Sequence, residues 1–170
     1  MKIILFQPQI PQNTGNIVRT CSATQTSLVL VRPLGFSTQN RWLKRAGLDY
    51  WEGVEVEEID DMVAYLEAAK HPFCFFSSKA TRPYTEASYT SETALIFGSE
   101  TAGLPEVYWE RWPDRFFTIP MVPNTRCLNL AASAAIVLYE GLRQNHFPFE
   151  NKLARKDNTT LISAEEVSGA

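Results

Sequence analysis

Short apolar runs alternate with stretches of helical spacing along most of the chain. Residues 2–7, 27–31, 54–58, 72–77, 93–98 and 115–119 read as strands. Val, Ile, Leu and Phe dominate most of them with little polar alternation, the pattern of strands covered on both faces. The intervening segments read as helices: 14–25 behind Asn13, 41–47 behind Asn40, 61–70 behind Asp60, a short one from Pro105 to about Trp112, and 130–144 with Asn129 in capping position. In the last of these Leu130, Ala134, Val137, Leu138 and Leu142 recur near helical spacing. Strands alternating with helices predict one α/β domain over residues 1–150, built on a mostly parallel sheet flanked by helices. From Asn151 the chain turns polar, and residues 151–170 read as a loosely attached, flexible tail.

Composition narrows this picture. The chain has 170 residues, of which 45% are apolar and 21% charged, enough for one core and short for two. No run approaches the ~20 apolar residues of a membrane span. The apolar run Ile3–Phe6 meets Pro8 and Pro11, so it suits a first strand rather than a signal sequence. Cys21, Cys74 and Cys127 are scattered and form no CxxC pair. Neither a metal site nor a disulfide framework is expected from them, and a reducing, cytoplasmic setting is. The net charge of −3 argues against a general nucleic-acid binder, yet it hides an asymmetry. "RWLKRAG" (41–47) sets Arg41, Lys44 and Arg45 around Trp42, while "EGVEVEEIDD" (52–61) is strongly acidic. A local basic patch can still meet a polyanion.

Three segments carry candidate chemistry. In "ALIFGSETAGLP" (94–105) an apolar strand runs into Gly98, then Glu100, then Gly103. Glycine at a strand end shapes a turn or lets a ligand approach the backbone without a Cβ in the way. In "PQNTGNIVRT" (11–20) a helix beginning near Gly15 would place Arg19 about one turn in. In "FTIPMVPNTRCLNLAASAAIVLYE" (117–140) a strand, a proline loop and a small-residue helix follow one another. Each segment alone also admits a plain structural reading: a tight turn, a capped helix with a solvated arginine, and close helix-on-sheet packing. No two of the eight glycines are spaced GxG and no GK[ST] occurs, which disfavours a dehydrogenase-like dinucleotide site and a P-loop.

Taken together, the three read N-x-G-N-I-x-R, I-F-G-x-E-x-x-G-L and I-P-M-x-P-N-x-R-x-L-N-L, ending in V-L-Y-E. This resembles the motifs of the SPOUT-class RNA ribose 2′-O-methyltransferases, and within them the small TrmL (YibK-like) tRNA wobble-nucleotide enzymes, whose own signature "RAGLDYWE" (45–52) resembles. The resemblance covers about residues 1–147. It implies an α/β fold with a C-terminal trefoil knot, which spacing alone would not suggest. It also implies a homodimer and S-adenosylmethionine as cofactor, released as S-adenosylhomocysteine. Carried over residue by residue, it implies that Gly98, Glu100 and Gly103 form one wall of the cofactor site. Ile119 and Met121 form a second, and Cys127, Leu128 and Asn129 a third, with Phe76 and Ser77 reaching the same pocket. The chain departs from the family's usual residues at Ser99 (commonly Pro), Cys127 (commonly Ser), Ala131-Ala132 (commonly Ser-Asn), and Gln7 and Gln9 (commonly acidic).

The implied reaction methylates the ribose of the wobble nucleotide, a cytidine or modified uridine, in the tRNA anticodon loop. Its alternatives are ribosomal-RNA methylation on the same fold and a non-catalytic RNA-binding module. The enzyme's task is geometry and a better nucleophile. His71 and His146 lie outside the motifs and read as structural or surface residues. Arg19, Tyr139 and Asn129 are the catalytic candidates. Arg19 would hold the nucleotide's phosphate or lower the hydroxyl's pKa, and Tyr139 would accept or relay the proton. For RNA, Arg19, Arg41, Lys44, Arg45 and Arg126 are candidates for phosphate contacts and Trp42 for stacking on an unpaired base. No metal and no membrane are expected as partners.

Overall fold

The computed structural model describes residues 1–37 and 53–149. Six parallel strands form one sheet: β1 (Lys2–Phe6), β2 (Ser27–Val31), β3 (Val56–Ile59), β4 (Phe73–Phe76), β5 (Ala94–Phe97) and β6 (Phe116–Phe117), in the order β3-β2-β1-β5-β4-β6. The helices are α1 (Pro11–Thr24), α2 (Met62–Ala68), α3 (Glu106–Arg111) and α4 (Leu130–Gln144).

The sheet is covered on both faces, as the unbroken apolar runs require. Ile3, Leu5, Leu28, Leu30, Leu95 and Phe97 point to one side, where they meet Ile17, Val18 and Cys21 of α1 and Ala134, Val137, Leu138 and Leu142 of α4. Their neighbours Ile4, Val29, Val31, Ala94 and Ile96 point to the other, against Met62 and Leu66 of α2 and Tyr108 of α3. The strand period of two thus produces a helix–sheet–helix sandwich with a core on each face.

The differences from the expected elements are local. Helix α1 opens at Pro11 instead of 14, because proline suits the first helical position, where no amide hydrogen is needed. Asn13 therefore lies inside the first turn and is not its cap. Asp61, not Asp60, caps α2 by accepting from the Ala64 amide at 3.0 Å, while Asp60 pairs with Arg32. Strand β3 starts at Val56, opposite Leu28, two residues later than expected. Strand β6 stops after two residues because the Thr118 amide donates to Arg82 O at 2.8 Å, outside the ladder. The helix expected over 41–47 lies outside the described residues.

The chain steps outward from β1 through β2 to β3, then returns to β4 and β5 on the far side of β1. In open parallel sheets ligands gather where the order reverses, beyond the carboxyl ends of the strands.

Candidate active site

At those carboxyl ends lies a cavity of about 430 Å³, within the range of small-molecule sites. It is walled by the segments after β4, β5 and β6 and by the first turn of α4. All ten residues that the sequence assigns to the cofactor line it.

The two glycines of the 98–104 loop have separate causes. A Cβ on Gly98 would stand 2.6 Å from the carbonyl oxygen of Gly103 and from the amide nitrogen of Leu104, so the loop folds back directly over it. Gly103 has φ +70°, the left-handed region that favours glycine. The fold-back is fixed by a pair of backbone hydrogen bonds, Ser99 N to Gly103 O at 3.1 Å and Gly103 N to Ser99 O at 3.0 Å. Ser99 Oγ also accepts from the Ala102 amide at 3.2 Å. The serine thus supplies two bonds that a proline could not, since proline has neither an amide hydrogen nor a hydroxyl.

The carboxylate between the glycines ties the loop to the rest of the site. Glu100 Oε2 accepts from the Gln9 amide at 2.8 Å, and Oε1 accepts from the Ile10 amide at 3.2 Å and from Asn13 Nδ2 at 2.8 Å. The negative charge sits at the amino-terminal end of α1, where the helix dipole favours it. Asn13, only 5% exposed, passes the connection on: its Oδ1 accepts from Asn129 Nδ2 at 2.9 Å. Asn129 Oδ1 in turn caps α4, accepting from the Ala131 amide at 2.9 Å and the Ala132 amide at 3.3 Å. One chain of hydrogen bonds therefore runs from the 98–104 loop through α1 to the start of α4. Charge-assisted and buried bonds of this kind are the stronger ones.

Cys127 is exposed and lines the cavity, its Sγ donating to Ser78 Oγ at 3.3 Å. The other two thiols are in the core, where burial pushes Cys21 up to about 12 and Cys74 up to about 11. Gln9 donates its backbone amide to Glu100 and its side-chain amide to Gln7 O at 2.7 Å. Neither Ala131 nor Ala132 lines the cavity.

Among the described catalytic and RNA candidates, Asn129 alone reaches the cavity. Asn129 lines the cavity, but its side chain is engaged at both ends as described. Arg19 lies on the exposed side of α1 and Tyr139 on the exposed side of α4, 48% exposed, and neither lines the cavity of its own chain. Arg126 is exposed on the 118–129 segment and does not line it either. Arg41, Trp42, Lys44 and Arg45 lie outside the described residues. Neither histidine lines the cavity. Among the described residues no group of three His, Cys, Asp or Glu side chains could hold a metal ion, and no helix is long and apolar enough to cross a membrane.

Sequence reasoning passed over Asn13, Lys79, Trp109 and Ser133, all of which line the cavity. Asn13 stood in view inside N-x-G-N-I-x-R, and Ser133 lies one turn beyond Asn129 on α4. Nothing in the sequence marks Trp109.

The chain matches the SpoU rRNA Methylase family over residues 1–139. It is 43% identical over 148 residues to the tRNA (cytidine(34)-2′-O)-methyltransferase of Methylovorus glucosotrophus, covering 85% of this chain and 96% of that protein. A solved structure described as "Structural insights into the 2-OH methylation of C/U34 on tRNA" superposes with a TM-score of 0.78 at 40% identity, covering 85% of this chain and 95% of that one. The AdoMet-bound rRNA methyltransferase from Sinorhizobium meliloti superposes with a TM-score of 0.75 at 25% identity, covering 84% of this chain and 55% of that one.

Proposed function

The chain belongs to the SpoU rRNA Methylase family, and from that premise we propose that it is an S-adenosylmethionine-dependent methyltransferase acting on the ribose 2′-hydroxyl of nucleotide 34, a cytidine or uridine, in tRNA. The observation that carries this reading is the convergence of the 98–104, 118–121 and 127–130 segments on one cavity, the first and last of them joined through α1 by Glu100, Asn13 and Asn129.

The residues present fit the cofactor. The 98–104 loop folds back over Gly98, where only a residue without a Cβ fits, and this fixes the wall it presents to the cavity. The cavity is lined by apolar residues, Phe76, Leu104 and Ile119 among them, and by polar ones that include Asn13, Glu100 and Ser133. That mixed lining suits a molecule that carries both a purine and an amino-acid group. When bound, S-adenosylmethionine supplies an electrophilic methyl group on a sulfonium, and S-adenosylhomocysteine is the product. The chain's own residues orient the two reactants and exclude water. Asn129, occupied by its cap and by Asn13, acts as a positioning residue. Arg19 holds the phosphate next to the target ribose and favours the 2′-oxyanion electrostatically. The Tyr139 hydroxyl accepts or relays the proton.

Arg19 and Tyr139 lie outside the cavity of their own chain, so this reading requires a second copy. The exposed apolar residues Ile136 and Tyr139 on α4, with Leu128 beside the cavity, support a homodimer built on this face. The trefoil knot is part of the same proposal. In its support, the 77–93 segment is bonded to Thr118 through Arg82 O and the Tyr84 amide, and to the far end of α4 through Ala87 O and Tyr89 O. Residues 118–129 run between those two attachments. The cytoplasm is the proposed setting, since tRNA is the substrate and the three thiols are free.

The test is transfer of labelled methyl from S-adenosylmethionine to tRNA lacking ribose methylation, followed by mapping. Label confined to the 2′-oxygen of nucleotide 34, with none on ribosomal RNA, is expected. Label on ribosomal RNA alone, or no transfer, would overturn the reading.

A further inference from the structure

Two tryptophans stand one turn apart in one aromatic cluster and differ in a telling way. The Trp109 ring stacks on Phe116 with centroids 3.5 Å apart and planes 14° from parallel, and Phe116 stacks on Phe75 at 4.7 Å and 14°. Trp112 packs on Phe75 at 5.8 Å and on Tyr108 at 6.3 Å. Both are half-buried, but only Trp109 lines the cavity. It packs against the core cluster that holds Leu104, and the same cavity is lined by Ile119, Glu100, Asn13 and Asn129. Trp109 belongs to none of the three motif segments.

An indole half-covered by a parallel phenyl ring is a rigid surface with area left to bury. Flat heteroaromatic rings stack on such surfaces, and each nucleobase has a π face to offer. We propose that Trp109 is the purine wall of the cavity, the surface on which the adenine of the cofactor packs. It would thereby help select an adenine nucleoside over the rest of the cell's sulfonium and amino-acid compounds. The assignment rests on the S-adenosylmethionine reading and adds to it a residue in contact with the cofactor.

The test uses the full chain and two probes, S-adenosylhomocysteine and 5′-methylthioadenosine, which keeps the purine and ribose but lacks the amino-acid end. Wild type, Trp112→Phe, Trp109→Phe and Trp109→Leu are titrated by calorimetry and by tryptophan fluorescence. Quenching on saturation is expected in wild type and Trp112→Phe and is expected to be largely lost in Trp109→Phe. Trp109→Leu should weaken both probes by about tenfold and by the same factor, because the loss is at the shared purine. Unchanged affinities in Trp109→Leu, or quenching that survives in Trp109→Phe, would overturn the assignment alone. A wild-type chain that takes up neither probe would overturn the cofactor reading and this assignment with it. Should Trp109→Leu fail to fold, the fluorescence and affinity of Trp109→Phe decide.

Discussion

Two loops leave the carboxyl end of the same sheet and differ in what their side chains fasten. The 98–104 loop, after β5, is closed by paired backbone bonds, crowds Gly98, and is fastened through Glu100 to α1 and onward to α4. The 32–37 segment, after β2, is held by two single backbone bonds, Arg32 N to Ile59 O at 2.8 Å and Gly35 N to Pro8 O at 2.9 Å, and by the Arg32–Asp60 ion pair at 2.7 Å, whose side chains are 48% and 74% exposed. The first loop walls a cavity between packed elements, whereas the second borders an open groove with Leu34, Phe36 and Glu58. Partly buried hydrogen bonds with fixed partners define a shape, while an exposed ion pair in water contributes little and holds loosely. The contrast sets the cavity, and with it the proposed chemistry, on one side of β1.

The largest expected effect comes from adding one carbon. Gly98→Ala would drive a Cβ into the Gly103 and Leu104 backbone, which cannot swing aside as a side chain can. We expect about 2–4 kcal/mol of lost stability by urea denaturation and no measurable uptake of S-adenosylhomocysteine. Glu100→Gln comes next. It keeps the shape but removes the charge and turns one oxygen into a donor facing donors, so about 2–3 kcal/mol is expected, with weaker cofactor binding. Asn13→Ala should cost about 1–2 kcal/mol, and the double variant less than the sum, because both remove the same bond. Additive losses would show that the three segments are not coupled as described.

A thiol reagent sharpens the comparison between cavity and core. At pH 8 Cys127 should react with one equivalent, and S-adenosylhomocysteine should slow it. Cys21 and Cys74, their pKa values pushed by burial to about 12 and about 11, should stay protonated and unreactive until the protein unfolds. Arg32→Ala is the smallest effect: under about 1 kcal/mol, with cofactor affinity unchanged. A loss of cofactor binding there would erase the distinction between the two loops.

Much of this was legible in the sequence, and for identifiable reasons. Strand cores such as Ile3–Leu5 and Leu95–Phe97 are fixed by burial on both faces, which leaves an unbroken apolar run that can be read directly. Asn129 was readable as a cap because capping is local chemistry. The start of α1 was misplaced because two signals competed there, and Pro11 outweighed Asn13. Asp60 and Asp61 offer the same capping chemistry one residue apart, an ambiguity that only the geometry resolves in favour of Asp61. The partnership of Glu100 with Asn13 spans 87 positions, and no spacing rule connects residues that far apart. Trp109 reaches the site from a helix that otherwise serves the aromatic core, so composition alone could not separate it from Trp112.

The most direct test of the central claim is a calorimetric titration of S-adenosylhomocysteine into the wild-type chain and into Glu100→Gln. The account predicts saturable binding at one site per chain, weakened at least tenfold when the carboxylate that joins the 98–104 loop to α1 and onward to α4 is neutralised. Wild-type affinity in the Glu100→Gln protein, or no binding by either, would contradict it.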